Sequence, residues 1–244
     1  MRHFVFFLIL GISCAGIARN SAAQGGDVGI IKGIYTSQER ACSKVMEQII
    51  KEKDQTKLES DIYQYRNCYA YRPDYSPFSD DLVDQMMKLA FLSDTSEDPE
   101  KAQQNLVAYK DFVYYHIVDI GVLKKAYMMS KDDPRYGNPV FLGKVLDIMK
   151  RILYKPGYYP LTPETAYNIL TYSEENYLLA KLGGEIKRSE TYDVYGKVYN
   201  VYDIKDPKTG KTKTYYFEIT VPITALKNRK MIEDAESNTS LPKQ

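Results

Sequence analysis

The 244-residue chain predicts a mainly α protein with a small β appendage, and three observations carry that reading. Between residues 37 and 184 apolar side chains recur at steps of three and four, the period of helices buried along one face. Helix starts are marked by a capping side chain followed by proline, at Asp98-Pro99-Glu100, Asn138-Pro139 and Thr162-Pro163-Glu164. Beyond Gly183-Gly184 the period falls to two and β-branched and aromatic residues take over. The expected architecture is a stack of antiparallel helical hairpins, loosely tetratricopeptide-like, followed by a two- or three-stranded antiparallel sheet. The proline starts are unevenly spaced, so no repeat of fixed period is read.

Composition is that of an ordinary globular chain, with 44% hydrophobic and 27% charged residues. Lys and Arg number 33 against 32 acids, and removing residues 1–23 leaves the balance near −1. Charge therefore points to no nucleic-acid partner and no anionic membrane surface. With 23 tyrosines and no tryptophan, tyrosine must supply much of the aromatic core.

The N-terminus reads as an export signal: cationic Met1-Arg2-His3, a short apolar run over Phe4–Ile12, and small residues Ser21-Ala22-Ala23 before Gln24. The expected location is periplasmic, with lipid anchoring through Cys14 as the alternative. No later apolar run is long enough to span a bilayer, so no transmembrane segment is expected in the mature chain.

Residues 24–36 read as an extended lead-in and 37–184 as the helical body. Thr36-Ser37-Gln38-Glu39 fits a capping box, after which Cys42, Val45, Met46, Ile49 and Ile50 share a face of a helix over 37–53. Asp54-Gln55 turns the chain, and Leu58, Ile62, Tyr65 and Tyr69 define a second helix. Cys42 and Cys68 lie at similar distances from that turn, so an antiparallel hairpin sets them at similar heights. Either they pair, as an oxidising compartment permits, or they are two buried thiols.

Residues 69–78, Tyr-Ala-Tyr-Arg-Pro-Asp-Tyr-Ser-Pro-Phe, place aromatics on a segment whose prolines deny helix. Such a segment either packs between helices or lines a groove. On the second reading Tyr71, Tyr75 and Phe78, with Tyr158 and Tyr159, are candidate groove residues. Helices are then expected over 82–92, from Pro99, over 122–129 after Gly121, and from Pro139. Tyr158–Gly184 reads as the best-punctuated helix: Thr162 as N-cap, Pro163 and Glu164 in the first turn, Gly183-Gly184 as the stop. In the β part, residues 185–226, Tyr192, Val194, Val198, Tyr202 and Ile204 are expected on one face. Asp206–Lys211 turns the chain into a return strand with Tyr215, Phe217, Ile219 and Val221 alternating. The sheet should pack on the helical body, and 227–244 reads as a polar, frayed tail.

Candidate chemistry is sparse. His116 is the one histidine of the mature chain, at the border of an apolar stripe; with Asp119 it makes an i, i+3 pair that no further ligand completes. No nucleophile-elbow or glycine-rich phosphate motif occurs, and no cofactor is implied. Glu174-Glu175, Asp80-Asp81 and Asp132-Asp133 are the acid pairs available to a glycosidase, although helical neighbours point about 100° apart.

Three stretches carry a resemblance: Tyr63–Phe78, Thr162-Pro-Glu-Thr-Ala166 leading to Asn176–Gly183, and Tyr215-Tyr-Phe217. Together they resemble an uncharacterised family of exported Bacteroidetes proteins, catalogued as a domain of unknown function (four-nine-one-nine). This chain departs from it at Pro156–Tyr159 and at Asn176. The resemblance implies export and a helical body ending in strands, and brings no activity or site residue. The expected function is a non-catalytic binding or scaffold protein of the cell envelope with a protein or glycan partner; the alternative is a hydrolase of glycan or peptide using paired carboxylates.

Overall fold

The computed structural model describes residues 24–52, 54–78 and 81–239. Residues 1–23, where an export signal and Cys14 anchoring are expected, lie outside them, as do Asp80 and residues 240–244. Eight helices and a four-stranded sheet make up the described fold, a mainly helical body with a small β appendage. The first three helical hairpins are α1 (Gln24–Lys51) with α2 (Gln55–Tyr69), α3 (Asp81–Thr95) with α4 (Pro99–Tyr115), and α5 (Ile120–Asp132) with α6 (Pro139–Leu153). Their starts follow from local chemistry. The side chains of Asp54, Asp98, Asp119 and Asn138 each accept from the second and third backbone N–H of the helix they precede. Cys42 and Cys68 join α1 to α2 as a disulfide with Cα atoms 5.5 Å apart, a separation the bond accommodates.

Both chain ends differ from the expectation. Residues 24–36 are the first part of α1 rather than an extended lead-in, and the Thr36 capping box is not used: Thr36 Oγ1 donates to the Lys32 carbonyl in mid-helix at 3.0 Å. At the other end, α8 (Thr220–Thr239) replaces both the end of the return strand and most of the frayed tail. The two corrections have one cause, because α1 and α8 pack on each other. Tyr35 Oη donates to the Ala225 carbonyl, and Lys32 pairs with Glu236. Arg229 anchors α8 by donating to the Tyr75 and Arg72 carbonyls at 2.5 and 2.6 Å. Most helical stability comes from packing an apolar face, and each of these ends supplies the other's partner.

The stretch after α6 is also rebuilt. Thr162-Pro163-Glu164 starts no long helix; Pro163–Thr165 is a single 3-10 turn in which the Thr162 N–H donates to Thr165 Oγ1 at 3.1 Å. The chain then extends as β1 (Tyr167–Asn168), parallel to Phe217 and Glu218, and α7 (Tyr172–Leu182) begins after the N-cap Thr171. Sheet pairing overrides the local helix signal here. The Tyr216 N–H donates to the Pro160 carbonyl and the Ile169 N–H to the Glu218 carbonyl, tying both flanks of the turn to the strand.

Gly183 ends α7 with φ +66°, as expected of a C-terminal glycine. Gly184, at φ +93°, is required more strictly, since a Cβ there would stand 2.6 Å from the Lys205 carbonyl oxygen. Strands β2 (Glu185–Val194), β3 (Lys197–Lys205) and β4 (Thr212–Glu218) form an antiparallel meander, and the sheet order is β1-β4-β3-β2. Tyr195 and Gly196, both at positive φ, make the two-residue turn between β2 and β3. That turn places Tyr192 opposite Tyr199, so Tyr192 lies on the face away from Tyr202 and Ile204, not beside them. The inward face, with Ile204, Tyr215 and Phe217 buried, packs on the helices as the period predicted. Val221 belongs to α8; β4 stops at Glu218 because Thr220 Oγ1 accepts the Val198 N–H that a longer strand would use.

Candidate functional site

The 69–78 segment is mostly core. Tyr69 and Tyr75 are fully buried, their rings 5.4 Å apart and edge to face. Tyr75 Oη donates to the Leu170 carbonyl at 2.5 Å, so Tyr75 lines no groove and its replacement by alanine would open a hole in the core. Tyr71 is half-buried against the edge of Tyr35, in a small hollow of about 150 Å³ that Asn228 also lines. Phe78 is exposed and lines neither this hollow nor the Tyr159 cleft.

The segment's Arg72 and Asp74 join Tyr65 and His116 in a polar cluster that is buried except at the partly exposed Asp74 carboxylate. Arg72 makes a two-pronged pair with Asp74 at 2.9 and 2.8 Å, donates to Tyr65 Oη, and covers the Tyr115 ring at 4.5 Å. His116 Nδ1 stands 2.6 Å from Tyr69 Oη and Nε2 stands 3.4 Å from Asp74. The hydroxyl thus donates to Nδ1, which leaves the imidazole proton on Nε2 facing the carboxylate. Burial pushes the His116 pKa down to about 4 despite Asp74. His116 therefore contributes stability that is complete above its ordinary pKa near 6.5 and is lost as pH falls from 6.5 towards 4. The expected loss at this residue is roughly 2–3 kcal/mol. Burial raises the pKa values of Asp119 and Glu175, and these acids act in the opposite direction. The check is the difference between denaturation free energies of wild type and His116→Gln across pH 4–7: the variant should be flatter by that amount, and parallel curves would refute the assignment.

Asp119 does not join His116 as a ligand pair. One oxygen accepts the Gly121 and Val122 N–H groups and the other accepts from Ser173 Oγ at 2.9 Å. Among the described residues no group of three His, Cys, Asp or Glu side chains is placed to hold a metal. His116 meets Tyr69 and Asp74 rather than a serine or cysteine.

The adjacent acids of α7 point apart. Glu174 takes Arg66 Nε and Nη2 at 3.0 and 2.9 Å and the Leu170 N–H at 2.7 Å. Glu175 accepts from Asn200 Nδ2 and Tyr202 Oη at 2.9 and 3.1 Å. One ties α7 to α2 and the other ties it to β3, both out of solvent. Asp133 caps the 3-10 turn at Pro134–Tyr136 and pairs with Arg135.

Tyr158 and Tyr159 separate in role. Tyr158 Oη donates to the Thr165 carbonyl at 2.7 Å, and its own carbonyl accepts from Tyr167, so it braces the turn. Tyr159, 47% exposed, walls a cleft of about 340 Å³ between the end of α7 and the β3–β4 turn. Tyr215, Gly183, Gly184, Lys208 and Lys213 complete the wall, with Lys213 Nζ 5.3 Å from the centre of the Tyr159 ring. Among the described residues lining this cleft the one carboxylate, Asp206, accepts the Lys208 and Thr209 N–H groups, which lowers its pKa and keeps it ionised. With two lysines against one acid the cleft carries net positive side-chain charge. Sequence reading found Tyr159, the Gly183 stop and the Asp206 turn separately. It gave Lys208 only a place in the turn and Tyr215 only one in the return strand, and it did not single out Lys213, because nothing local says that the helix end and the strand turn face each other. The chain matches no family model, no curated protein and no solved structure.

Proposed function

We propose that this is an exported, non-catalytic binding or scaffold protein of the bacterial cell envelope, acting through the Tyr159 cleft on an acid-bearing envelope partner. The observation that carries the reading is the wall itself: an exposed aromatic face beside two lysines, with its single carboxylate committed to a backbone turn. Such a wall supplies stacking and charge without an acid–base pair across the cleft. The Cys42–Cys68 bond supports export, since structural disulfides persist in oxidising compartments.

The test is co-sedimentation of the purified mature protein with cell-wall and outer-membrane fractions. Tyr159→Ala and Lys213→Ala should each weaken retention roughly tenfold, while the melting temperature stays near wild type because both side chains are at the surface. Retention unaffected by both variants, or hydrolysis of the retained material by the wild-type protein, would overturn the proposal.

A further inference from the structure

A second cleft, of about 290 Å³, opens between α2, the end of α6, β1 and α8. Its volume is at the small end of ligand sites, room for one ring-sized group. Tyr63, Arg66 and Asn67 reach it from α2, three and four residues apart and hence on one helical face. Asn168 lies opposite, and Ile152 and Val221 supply apolar wall. We infer that this cleft binds an uncharged, amide-bearing sugar residue.

Arg66 is the anchor of the argument. It is 6% exposed and spends Nε and Nη2 on Glu174 and the Asn168 carbonyl. Nη1 makes no hydrogen bond to a described residue. The one buried side-chain polar atom left without a partner among the described residues is elsewhere, Tyr136 Oη. Nη1 is therefore not sealed in, and the opening beside it is the cleft. A held guanidinium donor of this kind asks for an acceptor oxygen.

The class of ligand follows from what else lines the space. Among the described lining residues only Arg66 is charged, and its charge is already matched by Glu174, so a second carboxylate gains little there. The side-chain amides of Asn67 and Asn168 have no partner among the described residues; each offers a donor and an acceptor, which suits hydroxyl and acetamido groups. Tyr63 is 55% exposed and presents a ring face for a sugar's apolar side. Strand addition by a peptide is blocked, because the β1 edge is taken: the Asn168 carbonyl accepts from Arg66 and the Leu170 N–H donates to Glu174.

The test titrates the full mature chain with N,N′,N″-triacetylchitotriose and follows amide signals by NMR. Maltotriose, trigalacturonate and a blocked tripeptide serve as comparators. Triacetylchitotriose should shift residues 63–67 and 166–168 with a Kd of about 1 mM or below. Tyr63→Ala and Asn67→Ala should each weaken it roughly tenfold with unchanged melting temperature, and Tyr159→Ala should not affect it. No shift at about 10 mM probe, ten times that Kd, binding indifferent to both substitutions, or tighter binding of trigalacturonate or the tripeptide would each overturn the inference. Because Tyr159 lies in the other cleft, failure here leaves the first proposal standing, and the reverse.

Discussion

Replacing both Cys42 and Cys68 by alanine is expected to lower the unfolding free energy by about 3.5 kcal/mol, the chain-entropy value for a closed loop of this length. The two cysteines are 26 residues apart in sequence and both buried, Cys42 completely. Their bond clamps α1 to α2 at the level where Tyr65 starts the aromatic cluster, since the Tyr65 carbonyl lies within reach of both sulfurs. The effect acts mainly on the unfolded chain, which regains the freedom the bond denied it. For a protein of this size about 3.5 kcal/mol corresponds to a fall in melting temperature of roughly 7–14 °C. Thermal unfolding with and without reductant measures it directly. A melting temperature indifferent to reductant, or two free thiols in the unreduced denatured protein, would show that the bond is not formed.

Glu174→Gln should cost about as much or more, roughly 3–5 kcal/mol, the range for removing one partner of a buried ion pair. The substitution keeps the side-chain volume and removes only the charge. Arg66 would then keep a buried guanidinium matched by one carbonyl and one amide oxygen, with both Arg66 and Glu174 under a tenth exposed. The Leu170 N–H, which donates to the same carboxylate, would lose the charge-assisted part of its bond. The damage should spread, because Leu170 also accepts from Tyr75 and so links α7 to the 69–78 segment that Arg229 of α8 holds. Urea midpoints give the magnitude, and a double change Arg66→Met with Glu174→Leu separates pairing from packing. The double variant should recover most of the loss, since an apolar pair leaves no buried charge. A double variant as unstable as Glu174→Gln alone would place the energy in packing instead.

The 69–78 segment shows how far residue type alone carries. Its prolines excluded helix and its tyrosines demanded either burial or a ligand, yet the choice between these was not local. Tyr75 entered the core because the Leu170 carbonyl, 95 residues away, accepts its hydroxyl. Tyr159 remained half-exposed because the helix end and the strand turn around it leave an open cleft beside its ring. The Arg66 cleft was equally hidden. A lone arginine on an amphipathic helix reads as a solvated face until α7 brings Glu174 against it.

By itself the sequence determined whatever depends on a few neighbouring residues. Aspartate or asparagine before proline caps a helix through side-chain geometry, glycine at positive φ ends one, and the change of period from helical to two marks the start of β2 and the antiparallel meander. Tertiary structure decided the rest, and for a common physical reason: the competing partners lie far away in the chain. Thr162-Pro163-Glu164 is a sound helix start, but pairing of Tyr167 with Phe217 offered its backbone groups better bonds than a second helical turn. Residues 24–36 and 227–239 lack a strong local signal and became helix because α1 and α8 pack on each other. Both clefts are spaces between elements, so their walls exist only once helices, strands and turns from distant parts of the chain have docked.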